Sequence, residues 1–467
     1  ELGKLNMNTF GLRSYYRPTQ FSRISLEYHT TNEFRRGGNK FDLQPHETDI
    51  TEQTNHIINS GGLTYDVFFR EYKHKLSVYS SLQHIDRNSY YGSGMDLNAY
   101  GSTKDLTAVG GAMYVGNMDR CFFAPATFTG GVEYQYNSLH DKMLGYQRDL
   151  KQDVKVGSAF LQNEWKMDYF TILAGFRLDK HNLVEKLIFS PRINALWKPS
   201  EKFQGRLTWS TGFRAPQAYD EDLHVAAVGG NMVLIRVAEG LKPERSNSFS
   251  GSIDWGFNFG HFQSNLLIEG FYTALNDVFY LEPVGYDDEA RAEVHERRNG
   301  RGARVYGANI DYKIAHGREA QLQLGFTAQR SRYTEGVKWS EDPDASLITT
   351  MTRTPDYYGY FTFSTSPLKN FDASLSGVYT GKMWVPHMAG YIEKDRMERT
   401  PDFMDLNLKL NYTFVLNDHL KLQLNGGVQN IFNSYQKDLD AGATRDSKYV
   451  YGPSQPRTYF IGFKLFN

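Results

Sequence analysis

The sequence has few cysteines, no excess of charge and no long apolar run. Cys121 is the only cysteine in 467 residues, so no intrachain disulfide can form. Lys and Arg number 52 against 53 Asp and Glu, so the basic excess typical of nucleic-acid-binding proteins is missing and we expect no nucleic-acid partner. No apolar run approaches the roughly 18–20 residues of a membrane helix, which excludes a helical membrane protein. The start, Glu1-Leu2-Gly3-Lys4, contains no basic-plus-apolar signal segment.

What the sequence does contain is an unusual number of aromatic residues and glycines. There are 31 Tyr, 31 Phe, 6 Trp and 42 Gly, yet the mean hydropathy is only −0.55. Such a composition is typical of a chain in which apolar residues alternate with polar ones along β-strands.

The alternation is clearest between residues 404 and 414. Every even position there is apolar, and every odd position is polar: Met404, Leu406, Leu408, Leu410, Tyr412 and Phe414 against Asp405, Asn407, Lys409, Asn411 and Thr413. On a helix the apolar and polar residues would be distributed on all sides of the axis, whereas a strand separates them onto two faces. The same pattern recurs in residues 420–429, 321–329, 371–380 (with Val378 as the exception) and 459–465.

About nineteen such strands, each about 10–16 residues long, follow one another along the chain. They are predicted to begin near Met7, Gln20, Asn55, His74, Asp105, Ala126, Val154, Asp168, Lys186, Lys202, Pro243, His261, Gly302, Arg318, Thr354, Asn370, Asp402, Asp418 and Pro456. Short connections alternate with long ones around 33–54, 90–104, 141–153, 216–242, 285–300, 335–353, 384–401 and 433–455, apart from a short one near Asn182. Tight periplasmic turns and extended external loops are typical of outer-membrane barrels.

We therefore predict an all-β fold, a transmembrane antiparallel β-barrel in the bacterial outer membrane. A soluble sandwich gives no reason for the alternating connections, and a β-solenoid would show a fixed repeat length that is missing here. If the last strand ends in the periplasm, the first of the nineteen predicted strands runs inward. A complete barrel with an even number of strands begins with an outward strand, and nineteen is odd, so we expect N-terminal strands to be missing.

Two blocks of the sequence resemble the TonB-dependent outer-membrane receptor family. The central block comprises residues 189–199 (FSPRINALWKP), 209–216 (WSTGFRAP) and 241–246 (LKPERS), and the final block residues 428–433 (VQNIFN) and 456–466 (PRTYFIGFKLF). The resemblance implies a barrel of about 22 strands filled by an N-terminal plug. It also implies uptake of a scarce nutrient (an iron chelate such as a ferric siderophore, haem, or cobalamin) with energy relayed by TonB. Residues 1–467 would be the barrel domain, with the plug and about three strands absent.

Ligand contacts are expected on the external loops and the upper inner wall, which alone face a nutrient arriving from outside. Arg214 belongs to a Phe213-Arg214-Ala215-Pro216 box, which resembles the box ahead of a haem-ligating histidine in haem receptors, and His224 follows it. The partner box of that family is replaced here by Glu239-Gly240-Leu241-Lys242-Pro243-Glu244. Since the first box also occurs in siderophore receptors, the plainer interpretation of His224 is a solvated loop histidine beside Asp220, Glu221 and Asp222.

Two further loops contain candidate ligand contacts. Trp384, His387, Met388 and Tyr391 suit a flat macrocycle or a catecholate through stacking and soft ligation, although interfacial aromatics are the plainer interpretation. His295, Arg297 and Arg298 form a cationic segment whose adjacent guanidinium groups can grip an anionic chelate, or neutralise the phosphates of surface lipid.

Nothing in the sequence indicates an enzyme or a resident cofactor. The acidic runs Asp287-Asp288-Glu289 and Glu341-Asp342-Pro343-Asp344 lack the spacing of a dedicated Ca²⁺ loop, and no phosphate loop or zinc-protease motif occurs. The expected partners are outer-membrane lipid, a small-molecule nutrient, and TonB through a plug. A passive porin-like channel and a surface barrel that binds glycans or a partner protein are the alternatives.

Overall fold

The computed structural model describes residues 3–215, 232–288, 292–340, 342–442, 444–446 and 448–466. Within these residues the main antiparallel sheet has 20 strands, one of which, β18 (Ile348–Thr350), is only three residues long. The other nineteen are β1 (Lys4–Tyr16), β2 (Ser22–Gly38), β3 (Ile50–Phe69), β4 (His74–Ser93), β5 (Tyr100–Cys121), β6 (Ala124–Met143), β7 (Arg148–Lys166), β8 (Phe170–His181), β9 (Ile188–Ser200), β10 (Phe203–Arg214), β12 (Glu244–Phe259), β13 (Phe262–Asn276), β16 (Gly302–His316), β17 (Ala320–Val337), β19 (Tyr357–Leu368), β20 (Phe371–Thr380), β23 (Phe403–Asn417), β24 (Leu420–Gln429) and β25 (Thr458–Phe466).

These nineteen strands confirm the prediction made from the alternation, and each begins within six residues of its predicted start. Each pairs with the next along the chain, from β1 with β2 to β24 with β25. β1 and β25 are the edges of this ladder within the described residues. This serial pairing of neighbours is the topology of an up-and-down barrel wall.

Six short strands and three 3₁₀ helices lie in the connections of the described chain. β11 (Met232–Val237), β14 (Phe279–Asp287) and β15 (Ala292–Asn299) form a separate three-stranded sheet, β18 (Ile348–Thr350) pairs with β17, and β21 (Trp384–His387) pairs with β22 (Arg396–Arg399). The 3₁₀ helices are Pro45–Glu47, Leu97–Ala99 and Leu144–Tyr146. No helix in the described ranges is long and apolar enough to cross a membrane.

The two ends of the sheet differ in their connections. At one end all nine connections contain two to five residues, whereas connections at the other end reach from residue 215 to 243 and from 430 to 457. Strands β2 to β7 extend into these predicted loops, so half of 33–54 and most of 90–104 and 141–153 is strand rather than loop. Both faces meet water there, and the alternation therefore fades although the ladder hydrogen bonds continue.

The two faces of the sheet are chemically distinct. On β23, Leu408 lies opposite Leu375 and Val428 of the neighbouring strands, so apolar residues form continuous rows. Lys409 lies opposite Ser374 and Gly427 on the other face. Val378, the exception in the pattern, lies opposite Asp405 on the polar face.

Ion pairs and hydrogen bonds hold the polar face together. Arg177 donates to Glu133 Oε1 at 2.9 Å, to Asp179 Oδ1 at 2.8 Å and to the Ser158 hydroxyl at 2.7 Å. Tyr79 donates to Glu133 Oε2 at 2.7 Å, so the cluster reaches from β4 to β8. Such a cluster suits the inner wall of a barrel, where polar side chains face water instead of lipid.

Candidate functional site

Two external loops join above the wall formed by β10 to β16. β11 of the loop 215–243 pairs in parallel with β15 of the loop 277–301, and β15 pairs with β14. Asn299 reinforces the junction, since its side chain accepts from the Lys242 backbone N–H at 2.8 Å and donates to the Lys242 carbonyl at 2.9 Å. Arg236 pairs with Asp287 at 3.2 Å across the sheet. We refer to β11, β14 and β15 as the loop sheet.

The loop sheet contains the predicted cationic segment, but it separates the two arginines. Arg297 and Arg298 are neighbours on β15, and successive strand residues point to opposite faces. Arg297 is buried, whereas Arg298 donates to Glu296 Oε2 at 2.5 Å and to Glu282. The hydrogen bond to Glu296 raises the pKa of Arg298. The two guanidinium groups therefore lie on opposite faces of β15, and their contact with an anionic chelate stays a prediction. His295 lies 3.3 Å from Glu293 Oε2.

Arg214 ends β10 at the external rim. Its guanidinium is 3.8 Å from Glu244 Oε2 of β12 and 5.9 Å from the centre of the Phe279 ring. These contacts leave Arg214 at the mouth of the barrel, beside the start of the loop that follows. His224, the candidate ligand contact of that loop, lies outside the described residues.

A second group of external loops is held together around His387. Its Nδ1 is 3.0 Å from Glu398 Oε1, and its Nε2 is 3.0 Å from both carboxylate oxygens of Asp440 in the loop 430–457. Its ring stacks on Tyr449 with 3.6 Å between centroids. Both ring nitrogens therefore face carboxylate oxygens. His387 is 4% exposed, and in this arrangement it joins two loops instead of facing the lumen.

Two tyrosines complete the cluster around His387. We refer to the whole cluster as the loop lock, which comprises His387, Glu398, Asp438, Asp440, Tyr449 and Tyr451. Tyr449 donates to Glu398 Oε2 at 2.9 Å and to Asp438 Oδ2 at 3.1 Å, and Tyr451 donates to both oxygens of Asp438 at 2.7 Å. Burial and the neighbouring carboxylates raise the pKa of both hydroxyls. The lock reaches a third loop, because Arg353 donates to the Val450 carbonyl at 2.8 Å.

Aromatic residues of the same loops remain accessible. Tyr391 is 55% exposed, and Trp384 is 40% exposed with the Arg399 guanidinium 5.9 Å from its ring centre. The backbone N–H of Met388 donates to Asp446 Oδ2 at 2.9 Å, which fixes the backbone at this residue. Both rings are therefore accessible at the external end, and their stacking against a ligand stays a prediction.

The upper inner wall contains a charged cluster that the sequence did not reveal. Arg87 and Arg148 share the carboxylate of Asp141, with Nη2–Oδ distances of 3.5 and 2.6 Å, and all three side chains are buried. Thr103 donates to the same carboxylate at 2.5 Å. Two guanidinium groups around one carboxylate leave a net positive charge on the wall. We term Arg87, Asp141 and Arg148 the inner-wall cluster.

Many polar groups of these regions are paired with one another. No group of three or more His, Cys, Asp or Glu in the described ranges is placed to hold a metal ion. Asp287 pairs with Arg236, and Asp342 accepts from the Asp344 backbone at 2.9 Å. What these regions contain is exposed aromatic faces on the external loops and one cluster on the upper inner wall in which two arginines share a single carboxylate.

Comparison with known proteins identifies the family that shares this architecture. The family described as TonB dependent receptor-like, beta-barrel matches residues 3–431. An iron-regulated outer membrane virulence protein from Vibrio cholerae is 28% identical over 203 residues, a stretch that covers 42% of this chain and 29% of that protein. The chain thus matches less than a third of the length of this curated relative.

Solved receptors share the fold at low identity. The siderophore receptor PirA from Acinetobacter baumannii superimposes with a TM-score of 0.74 at 13% identity, covering 99% of this chain and 71% of that chain. A mutant of the ferric enterobactin receptor PfeA from Pseudomonas aeruginosa gives 0.74 at 15% identity, with 99% and 70% covered. The family match over most of the chain, together with the strand ladder, places the protein in the bacterial outer membrane: the chain belongs to the TonB-dependent receptor family, whose β-barrel it forms.

Proposed function

We propose that the protein captures an iron chelate at the external end of its barrel and imports it by TonB-dependent transport. The observation that carries this proposal is the family match over residues 3–431. Relatives named for siderophores and for iron regulation support iron as the cargo. In this proposal TonB acts through a plug domain, and the chain contributes the wall and the external loops.

A ferric siderophore suits the chemistry of the site better than cobalamin. Ferric catecholates are anionic and have flat rings, so they favour a cationic wall with aromatic faces above it. The inner-wall cluster supplies the positive charge, and Trp384 and Tyr391 supply the exposed rings. Charge steering by such a wall also raises the rate at which an anionic chelate is captured.

Uptake assays with three nutrients test the cargo. A strain that lacks other siderophore receptors is made dependent on this protein and is grown with ferric enterobactin, haem or cobalamin as the limiting nutrient. We expect growth on the ferric catecholate, and loss of that growth when TonB is deleted. Growth that persists without TonB indicates a passive channel and contradicts the proposal. Absence of growth on all three moves the cargo to another class, such as a glycan.

A matched pair of tyrosines tests where the chelate binds. Tyr391 is 55% exposed on an external loop, and Tyr72 is 56% exposed at a short turn of the opposite end. Because a stacked aromatic contributes about 0.5–1.5 kcal/mol, Tyr391→Ala should weaken chelate binding by up to about tenfold. Tyr72→Ala should leave it unchanged. Equal effects of both variants contradict binding at the external loops.

Haem is the second candidate, favoured by the Phe213-Arg214-Ala215-Pro216 box ahead of His224. The substitution His224→Ala should reduce haem-dependent growth but not catecholate-dependent growth if haem is carried. Unchanged haem use in this variant removes the haem candidate.

A further inference from the structure

The outward face of the sheet contains a groove that nutrient transport does not use. The groove has a volume of about 1030 Å³ and crosses β9, β10, β12, β13 and β16. Its floor consists of small residues in register, since Gly251 lies opposite Gly270 and Gly270 lies opposite Ala308. Ala308 in turn lies opposite Ala328 of β17. We refer to this feature as the outer-wall groove.

The floor of the groove is open to its surroundings. A Cβ added at Gly270 would meet no atom within 4 Å, and its backbone is not in the left-handed region. Leu207 beside the floor is 68% exposed. An apolar lane of this kind on a wall that faces lipid matches an acyl chain in shape and polarity.

Aromatic rings border the groove on its external side. The next row of side chains toward the external end is aromatic. In this row each residue lies opposite the next across neighbouring strands: Trp209, Phe249, Tyr272 and Tyr306. The rings approach in pairs, with 6.4 Å between the centroids of Trp209 and Phe249 and 6.4 Å between those of Tyr272 and Tyr306. Tyrosine and tryptophan at this position mark the boundary between hydrocarbon and headgroups.

Arginines lie on the same face beyond the aromatic rings. Arg304 of β16 is directly opposite Arg332 of β17, an arrangement that is destabilising unless an anion is shared. Among the described residues, Arg245, Arg304 and Arg332 form no ion pair, and Arg332 donates only to the Thr350 hydroxyl. Arg330, which lies opposite Tyr306, pairs with Asp356 at 2.5 Å. We call Arg245, Arg304, Arg330 and Arg332 the arginine rim.

We propose that the outer-wall groove and the arginine rim bind one molecule of a phosphorylated, multi-acyl lipid of the outer leaflet. Its acyl chains lie in the groove, and its phosphate is held between Arg304 and Arg332 by charge-assisted hydrogen bonds. Four residues along β16 separate Ala308 from Arg304, which is about 13 Å of strand, enough to separate acyl chains from a headgroup. The tyrosine hydroxyls lie at the level between them.

A neighbouring groove shows why the arginines decide the occupant. It also lies on the outward face, has a volume of about 390 Å³ and includes Phe361, Gly377 and Met404. At its external edge Tyr379 donates to Asp402 at 3.1 Å, so a carboxylate lies there, whereas Arg304 and Arg332 beside the first groove have no carboxylate partner among the described residues. A phosphate is repelled there, and the phosphorylated lipid is therefore assigned to the first groove alone.

Native mass spectrometry of the receptor, extracted from outer membranes in mild detergent, tests the proposal. The probes are hexa-acyl lipid A with two phosphates, the same lipid after removal of both phosphates, and sodium phosphate. We expect the phosphorylated lipid to bind at least tenfold more tightly than the dephosphorylated lipid. The double variant R304Q/R332Q should lose that advantage, whereas Gly270→Leu, which fills the groove, should weaken binding of both lipids.

Matched controls keep the test decisive. The double variant R192Q/R206Q removes two arginines from the inner face, and Gly157→Leu adds a side chain on the outward face of β7, where a Cβ also meets no atom within 4 Å. Both should bind lipid as the unaltered receptor does. Equal loss in control and test variants, equal binding of the two lipids, or displacement of the lipid by phosphate alone would each overturn the proposal. Heat-dependent mobility on gels verifies that every variant is folded.

Discussion

The inner and outer faces of the sheet are built from the same strands, yet they are stabilised by different interactions. On the inner face, Arg177 has three polar partners between 2.7 and 2.9 Å, and Asp141 holds two arginines. On the outer face, Leu408 meets only Leu375 and Val428 across the ladder. Water competes for the hydrogen bonds of the inner face, so the polar side chains there need specific geometry to hold one another. Lipid offers no such competition, and the outer face needs only apolar side chains of fitting shape.

The same contrast separates the two binding functions that we propose. In these proposals the inner wall and external loops offer charge and aromatic rings to a nutrient in water, and the outer wall offers an apolar groove below arginines to a lipid. A substitution should therefore act according to the face on which it lies, which can be tested residue by residue.

The largest effect is expected on the inner face. Asp141→Asn leaves Arg87 and Arg148 buried without their shared counter-charge, which should cost about 3–5 kcal/mol of unfolding free energy. Urea unfolding of the receptor reconstituted in lipid vesicles measures this. Asp119→Asn is the control, because Asp119 is 89% exposed and its removal should have no measurable effect. Similar values for the two variants would show that the inner-wall cluster is not a coupled unit.

On the outer face, a cation should be costly at the middle of the membrane. Leu408→Arg places a guanidinium among apolar rows and should destabilise the barrel by about 2–4 kcal/mol. Lys409→Leu, one residue away on the inner face, should cost less than about 1 kcal/mol. The same unfolding assay compares them, and equal losses would contradict the assignment of the two faces.

The loop lock should respond to removal of its histidine without a change in the barrel. His387→Ala removes one partner from the carboxylate of Glu398, which keeps the Tyr449 hydroxyl, and one from that of Asp440, which keeps the Asp446 backbone N–H. The loss should weaken the closed loop arrangement by about 1–3 kcal/mol. Hydrogen exchange of residues 430–457 should accelerate, while that of β23 and β24 stays the same. His316→Ala at the opposite end, where the imidazole is 40% exposed, is the control and should not change loop exchange.

Alkaline pH should open the same lock, with the smallest effect. Because the pKa of Tyr449 and Tyr451 is raised in the closed state, both stay protonated there, whereas in the open state they ionise near their ordinary pKa of about 10. The closed state is therefore fully stabilised below pH about 10 and loses that contribution above it. The double variant Y449F/Y451F should abolish the pH dependence of loop exchange, and an unchanged pH profile would contradict it.

Sequence reasoning predicted the fold more completely than the site, for a physical reason. Alternation along β23 depends on residues two apart, so a local pattern reveals the strand. Arg87 and Asp141 are 54 positions apart and meet only through the register of three strands. Asp440 is likewise far from His387 along the chain, so a histidine next to a methionine was interpreted as a ligand contact when its actual partners were hidden. The loop sheet has no alternating pattern and was not predicted.

Spin labelling along one strand tests the central claim most directly. With Cys121 replaced by serine, a nitroxide is attached in turn to each position from 404 to 411 of the receptor in lipid vesicles, and its collisions with oxygen and with a water-soluble nickel chelate are measured. Even positions should be accessible to oxygen and odd positions to nickel, with a period of two residues. A uniform profile, or nickel access at Leu406 and Leu408, would contradict a wall that separates lipid from water.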